Sequence, residues 1–222
     1  MKTLFDRLKA AAPEEWLAYT EHPFVRALRD GSLPESCFRH YLAQDYLFLI
    51  HFARAQGLAA YKADGLEDIR QAAAGLTAII DVEMGLHVEF SARWGLSESD
   101  MAAEEEDAAT MAYSRYVLEK GLQGDLLDLR VALAPCIVGY AEIGAGLAAD
   151  PATVMDGNPY REWIEMYSSE DYQQVARAEV AGLDGLMERR GGGARFESLA
   201  AVFRQATRLE AAFWDSGLGV RP

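Results

Sequence analysis

A chain of 222 residues, half of them apolar, is long enough for one well-formed core, and two domains are not required. The formal net charge of −14 argues against nucleic acid or an anionic membrane surface as partner and favours attraction of small cations. Two cysteines, Cys37 and Cys136, are too few for a disulfide framework and too far apart for a structural zinc site, so both read as free thiols of a reducing cytoplasm.

Lys2, Asp6, Arg7 and Lys9 interrupt any apolar leader, and no run approaches the roughly 20 apolar residues of a bilayer span. Helical periodicity then runs through residues 2–20, 23–30, 35–62, 67–93, 98–120, 124–149, 159–166, 172–190 and 196–216. His22-Pro23, Leu33-Pro34, Trp94-Gly95, Asp150-Pro151, Asn158-Pro159 and Gly191-Gly192-Gly193 punctuate the stretches. Ser97, followed by Glu98 and Asp100, is placed to cap a helix with an acidic first turn. No alternating β-branched run, internal repeat or long linker is present, so the expectation is one all-α domain over 1–222, packed as a helical bundle.

The informative residues are polar ones on apolar faces. On a helical wheel Asp45 lies within about 60° of Phe38, Tyr41, Phe48, Leu49 and Phe52. Glu210 lies equally close to Leu199, Phe203, Ala206, Phe213 and Trp214. A buried carboxylate needs a partner or a raised pKa. One such acid reads equally well as half of a structural ion pair, but two with aromatic neighbours point to a site.

Cys136 shares its face with Leu129, Ala132, Tyr140, Ile143 and Leu147. A thiol there is usually an inert core group. Pro135 raises the interest, because inside a helix it removes a hydrogen bond, frees the Val131 carbonyl and bends the axis. Tyr113 and Tyr167 are each spaced to turn a phenol inward, with ordinary packing the simpler reading of either one alone. His87 stands four residues after Glu83, yet no His-Glu-x-x-His pair exists, and a core histidine is simpler than a metal or pocket role. The run Glu104-Glu105-Glu106-Asp107 reads as a solvated helix start.

The segments holding these anomalies are Gln44-Asp45-Tyr46-Leu47-Phe48-Leu49, Glu83-Met84-Gly85-Leu86-His87, Ala132–Tyr140, Tyr160–Tyr167 and Glu210–Trp214. In order and spacing, across almost the whole chain, they resemble the TenA/thiaminase II family. The resemblance implies an all-α, heme-oxygenase-like bundle, no metal or organic cofactor, and a homotetramer. It implies hydrolysis of thiamine, or of aminomethylpyrimidine from thiamine breakdown, to hydroxymethylpyrimidine. Cys136 then matches the nucleophile, Glu210 the general acid/base and Asp45 the carboxylate that grips the pyrimidine. Phe48, Tyr113, Tyr140, Tyr167 and Phe213 match positions around the ring, with His87 beside the pocket. Phe48 departs from the tyrosine of many relatives, and Ala134-Pro135-Cys136-Ile137-Val138-Gly139 departs from the commoner Leu-Pro-Cys followed by aromatics.

The chemistry suits these residue types. Thiolate addition to the ring breaks aromaticity and pushes electrons toward the leaving group, dividing one hard step into easier ones. A carboxyl with a raised pKa protonates the departing group and later takes a proton from water. Two rival readings follow from the same residues. A di-iron oxidase on this fold needs carboxylate and histidine ligands from several helices, and no Glu-x-x-His is present. A non-catalytic pyrimidine-binding or regulatory protein would need neither Cys136 nor Glu210.

Overall fold

The first helix begins where Thr3 and Asp6 cap each other, each side chain accepting from the other's backbone amide. The computed structural model, which describes residues 2–219, then follows the expected helices with informative breaks. Pro13 disfavours helical backbone at the residue before it, and Ala12 takes φ −138°, ψ 51°. The single helix expected over 2–20 is therefore two, α1 (Leu4–Ala11) and α2 (Pro13–Thr20). Helix α3 (Pro23–Asp30) starts with His22 Nδ1 accepting from the Phe24 amide and ends at Gly31, whose φ of 75° suits glycine. Among the described residues there is no β-strand.

The chain forms two compact units, one made of residues up to Leu33 with Arg130–Trp214, the other of Pro34–Leu129 with the chain from Asp215 onward. In the second unit the long helix α4 (Glu35–Lys62) is the spine. Against it pack α5 (Leu66–Ala78), α6 (Met84–Arg93), α7 (Glu98–Ala103) and α8 (Ala108–Gln123). Between α5 and α6 the helix widens into a π-turn, Ile79–Glu83.

The helix expected over 98–120 is also two. Ser97 and Asp100 form the expected cap as a reciprocal capping box, but the chain leaves helical geometry at Glu104. Buried Gln44 holds the break: its Nε2 donates to the Glu105 carbonyl (2.9 Å), and its Oε1 accepts from the Asp107 amide (2.9 Å) and the Thr110 hydroxyl (2.7 Å). Of the acidic run only Glu104 and Glu105 are exposed. Glu106 binds Arg115 (2.6 Å) and His51 (2.8 Å), and Asp107 binds His40 (2.6 Å). The reading of this run as solvated fails for its second half, because His40 and His51 of α4 and Arg115 of α8 reach it.

In the first unit α10 (Tyr140–Ala149) lies against α11 (Arg161–Ser168), with α12 (Glu170–Leu186) alongside. The approach is close because residue 144 is glycine: a Cβ there would sit 2.6 Å from the backbone carbon of Tyr167. Arg130 and Glu179 form a buried ion pair (3.2 Å) that ties α9 (Leu126–Ala134) to α12. Burial raises the Glu179 pKa while Arg130 opposes the rise. The last helix, α13 (Phe196–Gly217), carries Glu210.

Leu126–Ala149 is a continuous helical stretch of 24 residues that is apolar and long enough to span a bilayer, though 78% of its apolar window is buried inside the protein. Asp128, Arg130 and Glu142 interrupt it, so it holds no unbroken apolar run of bilayer length. Such burial is the mark of a core helix.

Candidate active site

In the second unit, the Asp45 side chain sits on the buried face of α4, as its helical position requires, with Phe48 one turn on. Phe48 stacks on Tyr113 of α8 (centroids 5.0 Å apart, 23° between planes), a flat aromatic pair on the face that carries the acid. Glu83 closes the π-turn and His87 stands one helical turn later on α6, so the two share one face of the continuous helical stretch. His87 Nε2 lies 2.9 Å from the Leu42 carbonyl, which only accepts, so this nitrogen carries the hydrogen. The other ring nitrogen, Nδ1, then faces Asp45 Oδ2 at 3.6 Å. That distance is too long for a hydrogen bond and marks a close polar approach. His87 thus stands beside Asp45, bonded to the Leu42 carbonyl and not to the acid.

Burial raises the Asp45 carboxyl to about 7. Glu83 is also raised to about 7, by burial first and then by the charge of Asp45. Burial lowers His87, against the opposing pull of the Leu42 carbonyl. All three groups are therefore driven toward their neutral forms. The ordinary values of the two acids are 3.8 and 4.5, so between those values and about 7 the folded chain binds more protons than the unfolded chain. Their contribution to stability is present at acid pH, falls as pH rises through that window, and levels off above it. Glu83→Gln removes one of the two acids. The melting temperature of the variant minus that of wild type is expected to become more positive from pH 5 to pH 8, by a few degrees. A flat difference across a calorimetric pH series would show that the Glu83 carboxyl is not raised in the folded chain.

In the first unit, Cys136 lies on a π-turn, Pro135–Gly139, that interrupts the helix between α9 and α10. Pro135 has no N–H, so the regular ladder breaks there and the turn widens by one residue, a more specific outcome than the expected bend. All five residues of the turn are buried. The Cys136 thiol donates to the Leu133 carbonyl (3.1 Å).

Around the same unit an aromatic box is assembled from α10, α11 and α13. Tyr140 meets Tyr167 (4.9 Å), Trp163 (6.0 Å) and Trp214 (5.3 Å), and Phe213 meets Trp214 (6.3 Å). Glu210, 1% exposed, precedes Trp214 by one turn on α13. The nine residues singled out in the sequence thus form two groups: Asp45, Phe48, His87 and Tyr113 in one unit, and Cys136, Tyr140, Tyr167, Glu210 and Phe213 in the other. Sequence reasoning weighed Glu83 only as a metal partner and gave Trp163 no role of its own. The four-residue spacing of Glu83 and His87 was the available signal for the first. Among the described residues no three of His, Cys, Asp or Glu are grouped so as to hold a metal ion.

Residues 10–219 match the model of the family described as TENA/THI-4/PQQC. The chain belongs to this family. Among relatives of this TENA/THI-4/PQQC member, the aminopyrimidine aminohydrolase of Halalkalibacterium halodurans is 37% identical over 207 residues, covering 93% of this chain and 91% of that one. The crystal structure described as a TenA family transcription regulator from Silicibacter sp. TM1040 superposes with a TM-score of 0.92 at 43% identity, over 97% of this chain and 96% of that one. A domain from Shewanella denitrificans, described as having a heme oxygenase-like fold, superposes with a TM-score of 0.75 at 17% identity, over 98% and 92% of the two chains. At that identity the likeness is one of fold alone. The expected family and the all-α, heme-oxygenase-like fold are both borne out.

Proposed function

We propose that this TENA/THI-4/PQQC member hydrolyses thiamine or its aminomethylpyrimidine breakdown product to hydroxymethylpyrimidine, in thiamine salvage, with Cys136 as nucleophile and Glu210 as acid/base. The broader class, a hydrolase of the aminopyrimidine aminohydrolase (thiaminase II) type, follows from relatives named aminopyrimidine aminohydrolase at 27–37% identity, and that it needs no cofactor belongs to the proposal. The observation that carries the finer reading is the thiol of Cys136 on a buried π-turn, since such turns recur at functional sites.

In this reading the Cys136 thiolate adds to the pyrimidine ring; an amine leaving group then departs with a proton from Glu210, whereas thiazole, cationic while attached, departs neutral and needs none. Water then adds to the methylene carbon, giving its proton to Glu210, and the thiolate leaves as the ring regains aromaticity. Asp45 holds the amino side of the ring, and Phe48, Tyr113, Tyr140, Tyr167 and Phe213 supply aromatic surface. Phe48 brings no hydroxyl to that surface, and the preference between thiamine and aminomethylpyrimidine rests in part on it. The single domain over 1–222, the homotetramer and the cytoplasmic location belong to the same proposal. The unbroken family match supports the first, and the family resemblance supports the second. Two free thiols support the third. The acidic charge supports a small-molecule partner over nucleic acid or membrane.

The test offers purified protein each pyrimidine separately and resolves products chromatographically. Hydroxymethylpyrimidine is expected from at least one of thiamine and aminomethylpyrimidine, and its absence from both sinks the proposal. A non-catalytic regulatory role is the second reading, favoured by the description of the Silicibacter relative as a transcription regulator. It predicts binding of the same pyrimidines without turnover.

A further inference from the structure

A widened helical turn is held only as well as its neighbours fill and bond it. In the π-turn Pro135–Gly139 one side chain does this from both ends. Tyr19, fully buried on α2, donates its hydroxyl to the Pro135 carbonyl (3.3 Å). Its ring fills the space beside residue 139: a Cβ added to Gly139 would lie 2.4 Å from Tyr19 Cε1 and 2.7 Å from its hydroxyl oxygen. Glycine is thus needed at 139 so that this phenol can approach the backbone, and Cys136 sits between the two points of contact.

The same ring also reaches the helix that carries Glu210. Tyr19 stacks on Trp214 (6.3 Å, 18° between planes), and Trp214 lies four residues after Glu210 on α13. Trp16 meets the Tyr19 ring edge-on (5.7 Å, 80°) and fixes its plane from within α2. Trp214 in turn contacts Tyr140, the first residue after the π-turn.

We infer that Tyr19 is the positioning residue for Cys136, bracing the π-turn at Pro135 and Gly139 and setting the thiol's backbone against the helix that bears Glu210. The inference rests on the proposed role of Cys136 as nucleophile. Tyr19 touches neither substrate nor reacting atoms; it acts through the turn. Reactivity is sensitive to such placement, since an error of about 1 Å in a reacting group costs on the order of a hundredfold in rate.

The decisive variant is Tyr19→Phe, which keeps the ring between Gly139 and Trp214 but withdraws the hydroxyl from the Pro135 carbonyl. Two readouts are taken: kcat and KM on the accepted pyrimidine, and the pH profile of Cys136 alkylation by iodoacetamide in a Cys37→Ser background. Tyr19→Phe is expected to lower kcat about tenfold with KM within about twofold, and to move the midpoint of the alkylation profile by at least about half a pH unit. Gly139→Ala, which drives a methyl group into the ring, is expected to act in the same direction and more strongly. Combined with Tyr19→Phe, its effect should be less than additive, because both act on one contact. A Tyr19→Phe protein whose melting temperature falls while kcat and the alkylation profile match wild type overturns the inference and leaves a packing role. If wild-type protein turns over no pyrimidine, the proposed function fails, and the alkylation profile still decides whether Tyr19 sets the state of the thiol.

Discussion

Cys136→Ser is expected to lower turnover by at least about a thousandfold while the fold persists. A serine hydroxyl is far harder to ionise than a thiol, whose ordinary pKa is roughly 8.5, so the ring-addition step loses its nucleophile. The structural cost is small for a specific reason. The thiol already donates to the carbonyl of Leu133 within its own helix, and a serine hydroxyl makes the same kind of bond to the preceding turn. Circular dichroism and melting temperature should therefore stay near wild type while kcat collapses. Cys37 stands at the start of α4, half-buried, and Cys37→Ser should leave turnover within about twofold. Retention of more than about a tenth of wild-type turnover by Cys136→Ser would refute covalent catalysis by this residue.

The second large effect separates the two buried acids. Glu210→Gln keeps the shape of a side chain that is 1% exposed but can neither give nor take a proton. General acid/base terms are worth roughly a hundred- to ten-thousandfold, so the loss should appear in kcat, with hydroxymethylpyrimidine affinity within a few-fold of wild type. Asp45→Asn should behave in the opposite way. Its amide can turn a donor toward the substrate's own amino group, and a mismatched buried hydrogen bond costs about 1–3 kcal/mol, so affinity should fall about tenfold or more. Calorimetric binding paired with steady-state rates reads both. If Glu210→Gln abolished binding and Asp45→Asn left it intact, the two roles would have to be exchanged.

The environment of Asp45 sharpens that test. With its carboxyl raised to about 7 and Glu83 beside it, part of the Asp45 population is protonated at neutral pH. Asparagine mimics the protonated form more closely than the ionised one. The affinity loss in Asp45→Asn should therefore grow as pH rises from 6 to 8, where wild type gains the charge that the variant lacks.

Much of this protein was determined by its sequence alone, because it depends on local period and local chemistry. The helices follow the 3.6-residue spacing of apolar residues, and the Ser97–Asp100 cap lies within four residues of chain. The inward placement of Asp45, Glu210 and Cys136 follows from the same spacing, as does the anomaly that a proline makes beside a buried cysteine. Even the break at Ala12 was written locally, in Pro13, although the periodicity on either side concealed it.

Only the tertiary structure decided the rest. Whether Pro135 would bend, break or widen its helix depended on what filled the space, and Tyr19, 116 residues earlier, filled it. The acidic run at 104–107 divided into solvated and paired halves because Gln44, His40 and His51 reach it from α4. Asp45 acquired Glu83 and His87 as neighbours from a different helix, and its pKa is set by desolvation. Desolvation and long-range pairing depend on which surfaces meet, and helical periodicity states only which side of each helix faces inward.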